Sequence, residues 1–502
     1  MLKPVRLIAL VILGVFLGAC RPALMAPEEI HITQEAVRSL VRVTATGQGY
    51  LLHRPWQQRR PVTHTAIGVI VAGHKVLVTG LMLADHRYIE LETIDTQRKS
   101  RAEVEVVDYE ANLALLKPVD PDFLADRRPM PLATNINVGQ SLNIWQVKPN
   151  GDVLPATGQV TSIELSAFTL GNFFLTYRVE STLQYRFNNL TLPVVRAGML
   201  AGLVLRSSSK DQAIDVIAEP VIRHFLRDAE QGQYQGFPVA GFHYGPTVDP
   251  QLRGYTGLAE STTGIYIQKV IKGSPADKAG LQAGDVITQI GDHKVSNTGQ
   301  FDHPQYGKTS LVHLIRTMYY AGDSIPVHVF RQGQNLVLHI VLDHRRPEEY
   351  LVPPYIVDQV PNYLIVGGLV FQELSMSYLR EYGKDWSAEA PVDLLYYNQN
   401  QDYLSGDHRE KIVIISSVIP TSYTIGYENL SDLVVLKVNG QPIGELSDVR
   451  KALASPINGF HKIEVKQHPK VIYLDARELP QINEIIRQRY RIPISPAQAA
   501  PK

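Results

Sequence analysis

The side chains of this chain that could do chemistry are histidines and hydroxyl residues, which lie far apart in the sequence. The chain has 502 residues, 16 of them histidine. His64, His74 and His86 lie near one another, and Ser181 and Thr182 follow much later. A histidine that takes a proton from a hydroxyl activates a nucleophile for acyl transfer. The histidines form no His-Glu-x-x-His pattern and no cysteine pair exists, so we expect no metal and no cofactor.

The only cysteine ends an N-terminal segment that has the composition of a secretory signal. Lys3 and Arg6 supply positive charge, and residues 7–17 are apolar but too short to span a bilayer comfortably. The ending Leu-Gly-Ala-Cys resembles a bacterial lipobox, in which the cysteine is lipidated and becomes the mature N-terminus. We therefore predict that residues 1–20 are a lipoprotein signal peptide and that Cys20 carries the lipid anchor. An ordinary secretory signal is the alternative.

The residue after the lipidated cysteine indicates to which membrane a bacterial lipoprotein is sorted. Arg21 follows Cys20, and by resemblance to the usual bacterial sorting rule a residue other than Asp there favours the outer membrane. We expect a lipid-anchored protein of the bacterial envelope that faces the periplasm. Two or three acyl chains would anchor it to the membrane stably.

Length and charge limit the number of domains and the kind of partner. A chain of this length is too long for one core and indicates about three domains. Hydrophobic residues make up 44% of the chain and charged residues 20%, which is ordinary for a globular protein. The formal net charge is +0, so there is no electrostatic reason to expect a nucleic-acid partner.

Short apolar runs separated by turn residues dominate the chain up to about residue 218. Many short strands without intervening helices predict a sandwich or a barrel. Residues 219–228 instead have Pro near their start and an apolar helical face, which predicts a helix. The predicted strands are Ala66–Val71, Lys75–Val78, Glu103–Val107, Leu113–Leu116, Leu142–Val147 and Ala201–Leu205.

Three runs in this strand-rich part resemble the catalytic segments of the HtrA/Deg serine proteases. Residues 112–117 (NLALLK) are similar to the family's Asp-Leu-Ala-Leu-Leu-Lys strand, and residues 188–194 (NNLTLPV) to its Gly-Asn-Ser-Gly-Gly-Pro-Val loop. Residues 76–82 (VLVTGLM) are similar to its Ile-Leu-Thr-Asn-x-His segment. The resemblance implies a mainly β fold with α/β parts, in which a trypsin-like double β-barrel is followed by two PDZ domains.

In this comparison the three triad positions hold residues that cannot do the chemistry. Asn112 stands in place of the acid, Leu190 in place of the nucleophile, and Met82 or Leu81 in place of the base. Leucine has no atom that attacks a carbonyl, and methionine takes up no proton at neutral pH. The glycines that would shape an oxyanion hole are also replaced. We interpret the barrels as a degenerate protease domain whose old cleft is filled by Leu190 and Met82.

The alternative is an active HtrA-type serine endopeptidase with a displaced triad. His86 would then serve as the base, and Thr191, Ser181 or Thr182 would supply the hydroxyl. His86 follows Asp85 in a segment that is typical of a polar turn, so we expect a solvated histidine there.

A second resemblance begins near Phe237. Residues 264–292 are similar to a PDZ domain, with Ser274 as a helix cap and Pro275 as the first helical residue. Residues 237–242 (FPVAGF) are similar to the carboxylate loop Phe-Pro-x-Leu-Gly-Ile of Deg proteins.

The resemblance assigns peptide binding to this loop. It implies that Val239, Ala240, Gly241 and Phe242 hold the C-terminal end of a peptide. Glycine lets the backbone turn its amides toward an anion, and Ala240 and Phe242 would line a pocket for an apolar terminal side chain.

A diverged second PDZ domain is indicated further on. Residues 363–371, 425–428 and 436–440 are similar to the C-terminal PDZ domain of plant-type Deg proteases. Residues 367–370 would be its carboxylate loop. This domain either binds peptide or serves only in assembly, as in the plant-type proteins that it resembles.

The predicted organisation has six parts. They are a signal peptide (1–20), a tether (21–33), a degenerate protease domain (34–232), a first PDZ domain (233–346), a second PDZ-like domain (347–495) and a tail (496–502).

From these residues we predict a lipid-anchored pseudoprotease that captures C-terminal or unfolded segments of envelope proteins through its first PDZ domain. It would act as a scaffold or chaperone. A regulatory subunit that co-assembles with an active Deg protease is a further hypothesis, because Deg proteins form trimers and larger oligomers. A trimer-based homo-oligomer is the corresponding expectation for this chain alone.

Overall fold

The computed structural model describes residues 34–181, 183, 190–208, 210–404 and 409–492. The predicted lipidation residue Cys20, the tether, Thr182, residues 184–189 and the predicted tail lie outside this described part. Two closed barrels are followed by two mainly antiparallel sheets, which confirms the predicted fold class. No helix within the described ranges is long and apolar enough to cross a membrane.

The first barrel closes through six strands in the order β1-β4-β5-β8-β7-β6. Every second residue of β1 turns a fully buried side chain inward, as Val41, Val43 and Ala45 show. The elements are α1 (Gln34–Val37), β1 (Leu40–Gly47), β2 (Tyr50–Leu51), β3 (Arg54–Gln58), β4 (Val62–Val71), β5 (Lys75–Val78), β6 (His86–Thr93), β7 (Lys99–Asp108) and β8 (Leu113–Pro118).

The second barrel also has six strands, in the order β10-β11-β14-β13-β12-β9, and helix α2 packs against its end. The predicted apolar face of α2 is confirmed, because Val221, Ile222 and Phe225 are fully buried. The elements are β9 (Ser141–Val147), β10 (Val153–Ala167), β11 (Phe173–Ser181), β12 (Pro193–Arg196), β13 (Met199–Ser208), β14 (Ala213–Ala218) and α2 (Glu219–Glu230).

The third unit is a sheet in the order β15-β16-β17-β21-β22, covered by helices. The predicted cap is confirmed, since Ser274 Oγ accepts from the Asp277 amide at 3.3 Å. The elements are β15 (Phe242–Pro246), α3 (Pro250–Thr256), β16 (Ile265–Val270), α4 (Pro275–Lys278), β17 (Val286–Ile290), β18 (His293–Lys294), β19 (Gln300–His303), β20 (Gly307–Ser310), α5 (Leu311–His313), a π-helical continuation (Leu314–Met318), β21 (Ser324–Arg331) and β22 (Gln334–Val341).

The fourth unit is a sheet in the order β23-β24-β25-β26-β28-β29. The elements are β23 (Tyr363–Val366), β24 (Leu369–Glu373), α6 (Met376–Leu379), α7 (Trp386–Glu389), α8 (Val392–Leu404), β25 (Val413–Val418), β26 (Leu433–Val438), β27 (Gln441–Pro442), α9 (Leu446–Leu453), β28 (Phe460–Val465), β29 (Val471–Asp475) and α10 (Leu479–Tyr490).

The hairpin of β2 and β3 joins the first barrel to the fourth unit. Leu52 in its turn is buried in the same apolar cluster as Leu374 and Leu394. The side-chain amide of Gln372 donates to the carbonyl of Leu52 at 3.0 Å. The first barrel and the fourth unit are therefore in direct contact.

A buried histidine joins the second barrel to the third unit. His224 on α2 lies between the rings of Phe237 and Tyr320, with centroid distances of 4.4 and 4.1 Å. Its Nδ1 donates to the carbonyl of Thr317 at 3.0 Å. Burial lowers the pKa of His224 to about 4, so the folded protein favours the neutral ring.

We expect acidification to destabilise this contact. An unfolded histidine has a pKa of about 6.5, above the folded value of about 4, so its stabilising contribution is present above about pH 6.5 and is lost toward about pH 4. His224→Phe keeps a stacked ring and removes the titration. The melting temperature of the His224→Phe variant should therefore fall less between about pH 6.5 and pH 4 than that of the unchanged protein. The difference corresponds to about 1–3 kcal/mol in the free energy of unfolding.

Thermal unfolding followed by circular dichroism at several pH values measures this difference. The matched control is His339→Phe at an exposed histidine of β22, which should leave the pH dependence unchanged. Equal pH dependence in His224→Phe and the unchanged protein would contradict the assignment.

Candidate functional site

The structure places Met82 and Asn112 near each other, and it places Thr191, the neighbour of Leu190, against Met82. Met82 lies in a 3-10 turn (Gly80–Leu83) after β5 and is 4% exposed. Asn112 precedes β8, and its Oδ1 accepts from the amide of Leu81 at 2.9 Å. Thr191, next to Leu190, places its Oγ1 3.9 Å from Met82 Sδ. The thioether of Met82 therefore lies against the hydroxyl of Thr191, and the carboxamide of Asn112 holds the turn that carries Met82.

The threonine hydroxyl at this point is already hydrogen-bonded. Thr191 is fully buried, and its Oγ1 lies 2.5 Å from Thr79 Oγ1. It also accepts from the Thr79 amide at 3.2 Å. The Thr191 hydroxyl is therefore hydrogen-bonded to Thr79, the residue that follows β5.

The prediction that Leu190 fills the cleft is wrong, because its side chain is 48% exposed. The amide of Leu190 donates to the carbonyl of Thr65, and the carbonyl of Thr191 accepts from the amide of Ile67. This extended pairing with β4 turns successive side chains to opposite sides. Thr191 therefore points inward with Met82, and Leu190 points outward.

His86, the base of the displaced-triad alternative, is held by the chain that follows the third unit. Its Nδ1 lies 3.0 Å from the carbonyl of Leu83 and 3.7 Å from Asp358 Oδ1. The nearby carboxylate of Asp358 raises the pKa of His86 against the effect of burial. The His86 side chain is 32% exposed, so the ring is partly solvated as expected and also lies beside Asp358.

The other described residues considered for a displaced triad, Ser181, His64 and His74, form no hydrogen bond with one another. Ser181 Oγ donates to the carbonyl of Thr157 at 3.2 Å. His64 lies on β4 and His74 in the turn after it. Among the described residues, no histidine nitrogen hydrogen-bonds a serine or threonine hydroxyl.

In the loop predicted to bind a peptide terminus (residues 239–242), backbone carbonyls accept hydrogen bonds from the rest of the domain. The carbonyl of Ala240 accepts from the amide of Ala276, and that of Gly241 accepts from the amide of Ile271. Gly241 has φ of +85°, and a Cβ there would lie 2.2 Å from Ser274 Cβ. This position requires glycine. In the described part of the chain, the amides of Ala240 and Gly241 have no hydrogen-bond partner.

Strand β15 follows this loop and is an edge strand, paired only with β16. Phe242 and Tyr244 pack against the core of the third unit, and His243 lies on the other face. Leu311 and Ile315 of the neighbouring helix belong to the same core. Between strand and helix lies a cavity of about 830 Å³ that the four predicted residues, Val239 to Phe242, help to line.

The second barrel and the fourth unit also line this cavity, and the first barrel contacts its Arg316. Asn172 of the second barrel accepts from Arg316 Nη1 at 2.7 Å, and Glu110 of the first barrel accepts from Arg316 Nη2 at 2.8 Å. Arg316 Nε is buried with no hydrogen-bond partner. On the opposite side, Asp402 of α8 accepts from His243 Nε2 at 2.9 Å and from Arg345 Nη1 at 2.8 Å.

The carboxylate of Asp402 is charged at neutral pH. Burial raises its pKa, but the hydrogen bonds from His243 and Arg345 outweigh burial and hold the pKa below its ordinary value. Helix α8 is therefore joined to Arg345 by an ion pair and to β15 by a hydrogen bond with His243.

The corresponding groove of the fourth unit is occupied by the chain itself. Strand β23 pairs antiparallel with β24 along the edge that matches β15, in the register Val366↔Leu369. Val366 and Leu364 pack into the domain core that includes α9. Residues 367–370, predicted as a carboxylate loop, instead contain the two-residue turn of this hairpin, with both glycines at positive φ.

The turn is also capped. Asn483 of α10 accepts from the amide of Gly367 at 2.8 Å. Ile486 on the same helix is buried with Tyr363 of β23. The strand edge and one loop amide of the fourth unit therefore have partners within the chain.

Comparisons with known proteins agree with this architecture. A PDZ domain model matches residues 249–342, and a second PDZ domain model matches residues 352–498. The chain is 24% identical over 461 residues to "Protease Do-like 4, mitochondrial" of Arabidopsis thaliana, covering 91% of this chain and 84% of that protein. It is 28% identical over 426 residues to "Protease Do-like 2, chloroplastic" of the same plant, covering 83% and 68%.

Among solved structures, "HtrA-type protease AlgW with decapeptide" aligns with a TM-score of 0.47 and 19% identity. The alignment covers 62% of this chain and 97% of that one.

Two closed six-stranded barrels followed by two PDZ domains define a serine protease fold that carries C-terminal PDZ domains. The two Do-like proteases align with most of this chain, across the barrels and both PDZ domains. The comparisons relate the chain to proteases of the HtrA/Deg type.

We predict that Thr191→Val destabilises the barrels by about 1–3 kcal/mol, because it leaves the buried hydroxyl of Thr79 without a partner. Thr191→Ser keeps the hydroxyl and should cost less. Urea unfolding followed by tryptophan fluorescence measures both. A valine variant as stable as the serine variant would show that the hydrogen bond between the two threonines contributes nothing.

Proposed function

We propose that this protein is a catalytically inactive HtrA/Deg member that binds the C-terminal segments of other proteins in its first PDZ groove. The observation that carries the proposal is the edge of β15, which is free beside a cavity of about 830 Å³. A peptide can pair with such an edge as an added strand.

The loop before β15 suits a carboxylate. The amides of Ala240 and Gly241 have no partner among the described residues, and Gly241 at φ +85° is held against Ser274. Successive free amides at a positive φ form a concave anion site. Lys272 and Lys278, which line the same cavity, add positive charge near this end.

The groove next to the loop suits an apolar terminal side chain. Ala240, Phe242, Leu311 and Ile315 all line it. Burying a Val, Leu or Phe side chain there would contribute about 1.5–3 kcal/mol. The unpartnered Nε of Arg316 offers a donor to a carbonyl of the bound peptide.

Inactivity is supported by the contacts in the barrel cleft. The hydroxyl nearest to Met82 belongs to Thr191 and is bound to Thr79, and His86 is bound near Asp358. Neither arrangement provides a nucleophile with a base in reach. Scaffold or chaperone activity in envelope protein quality control follows from binding without cleavage.

We also propose that Cys20 anchors the protein by lipid to a bacterial membrane, as the lipobox-like sequence indicates. Labelling of cells with radioactive palmitate tests this. The unchanged protein should incorporate label and fractionate with outer membranes, whereas Cys20→Ala should do neither. Label in Cys20→Ala would contradict the assignment.

Peptide binding is tested by fluorescence anisotropy with peptides that end in Val-COOH and with their C-terminally amidated forms. We expect only the free carboxylate to bind well. Gly241→Ala should weaken binding at least about tenfold, because its Cβ meets Ser274.

The matched control is Gly257→Ala. Gly257 has φ of +71°, but a Cβ there has nothing within 4 Å, so this variant has similar backbone strain without a clash. It should bind within about twofold of the unchanged protein, which is a small free-energy change. Equal binding of amidated and free peptides, or full binding by Gly241→Ala, would contradict the proposal.

Inactivity is tested with casein and with a fluorophosphonate probe. We expect neither hydrolysis nor labelling by the purified protein. Labelling that persists in Thr191→Val would show a displaced nucleophile elsewhere, and labelling that disappears there would identify Thr191 as that nucleophile. Either result would restore the endopeptidase alternative.

A further inference from the structure

The hairpin of β15 and β16 in the first PDZ domain has a long connection between its strands. Thr247 Oγ1 donates to the carbonyl of Gly264 at 2.6 Å and closes the end of the hairpin. Residues 248–263 lie beyond this closure, and we call them the insert. Hairpin connections have about two to five residues as a rule, so the insert is far longer than the hairpin needs.

Hydrogen bonds hold the insert in one conformation. Helix α3 begins after Asp249, whose carboxylate accepts from the amide of Gln251 at 2.9 Å. The guanidinium of Arg253 on this helix donates to backbone carbonyls at both ends of the insert, those of Thr247, Glu260 and Thr262. The insert is therefore an ordered element of the domain.

The insert exposes its apolar side chains. Every residue of α3 is exposed or only partly buried. Tyr255 is 85% exposed and Val248 is 58% exposed. In the part of the chain that the structure describes, no other large hydrophobic side chain is as exposed as Tyr255. Tyrosine is enriched at binding interfaces, because its ring is apolar and its hydroxyl can stay in water.

The direction of a bound peptide leads its upstream part to the insert. In the proposed peptide binding, on which this inference rests, the terminal carboxylate lies at the loop before β15. A strand added with its carboxyl end at this loop runs antiparallel to β15. It therefore passes from Phe242 toward Pro246 as it is followed back to its own N-terminus, and β15 continues directly into the insert.

Backbone pairing along β15 ends at Pro246, the last residue of the strand. Proline has no amide to donate. With the terminal residue level with Phe242, about five residues of the peptide lie along the strand, because both chains advance about 3.3 Å per residue. Residues further upstream must be held by side chains. Val248 lies two residues beyond Pro246, and Tyr255 lies on the helix that follows.

We propose that the insert is a second contact for bound C-terminal segments, at which Val248 and Tyr255 bind an apolar or aromatic side chain upstream of about the last five residues. The first PDZ domain would then select segments by a free carboxyl terminus and by an apolar residue about six to nine positions from the end. An unfolded protein with exposed apolar side chains fits both contacts, whereas a folded protein with a polar tail fits only the first.

Isothermal titration calorimetry with the full chain tests this on three peptides that share their last five residues and end in Val-COOH. The first consists of these five residues alone. The second adds five upstream residues that include two adjacent phenylalanines, so that one of them faces the insert in either orientation. The third has serines in place of the phenylalanines. We expect the phenylalanine peptide to bind about 3- to 10-fold more tightly than the other two.

The possible failures of this experiment are distinguishable. Equal affinities of the phenylalanine and serine peptides would overturn the inference and leave the proposed function standing. Absence of binding by all three peptides would overturn the proposed function and the inference with it.

Variants of the insert locate the second contact. Tyr255→Ser should remove most of the advantage of the phenylalanine peptide, and Val248→Ser should remove part of it. The affinity of the five-residue peptide reports whether the groove of each variant is intact. Tyr473→Ser, at a tyrosine of β29 that is 55% exposed, is the matched control and should keep the full advantage.

An advantage that persists in both insert variants, or that falls equally in Tyr473→Ser, would overturn the assignment to the insert. Sedimentation of the same variants tests the other possible occupant. A lower mass of Tyr255→Ser with unchanged peptide affinities would identify a contact with a second copy of the chain and would also overturn the inference.

Discussion

The outer strand of a sheet has backbone amides and carbonyls without hydrogen-bond partners. Each sheet of this chain either pairs these groups or leaves them open, and this choice distinguishes its four units. Both barrels close on themselves. The second PDZ domain pairs its edge with β23 of its own chain. In the first PDZ domain, β15 has a partner on one side only. Its free edge lies in a cavity lined by three units of the chain.

The barrel cleft is held by backbone pairing between the two barrels and by contacts among buried side chains. Backbone pairing between β4 and the loop of Leu190 is kept, and this pairing places Thr191 inside the cleft. Thr191 there contacts both Thr79 and Met82. The Thr191 hydroxyl is therefore hydrogen-bonded within the cleft.

Much of the architecture could be predicted because its signals are local. The apolar runs of the barrels, the Pro-led helix α2 and the Ser274 cap each depend on residues close in sequence. The convergence of Met82 and Asn112 was also predictable, since the family motifs place both beside the nucleophile loop.

What sequence reasoning missed depends on pairing between distant segments. The outward turn of Leu190 follows from its bond to Thr65, and no local pattern reveals it. The hydrogen bond between His243 and Asp402, at the wall of the cavity, joins residues 159 positions apart. The two glycines at 367 and 368 carried a usable signal, because paired glycines between apolar runs are typical of a tight hairpin.

The central claim is that the first PDZ domain has an open edge and the second does not. Amide hydrogen exchange with and without a peptide that ends in a free carboxylate tests it most directly. The account predicts that the peptide increases protection in β15 and in the loop of Gly241, and leaves β24 unchanged. Protection that rises in β24 while β15 stays unchanged would contradict it.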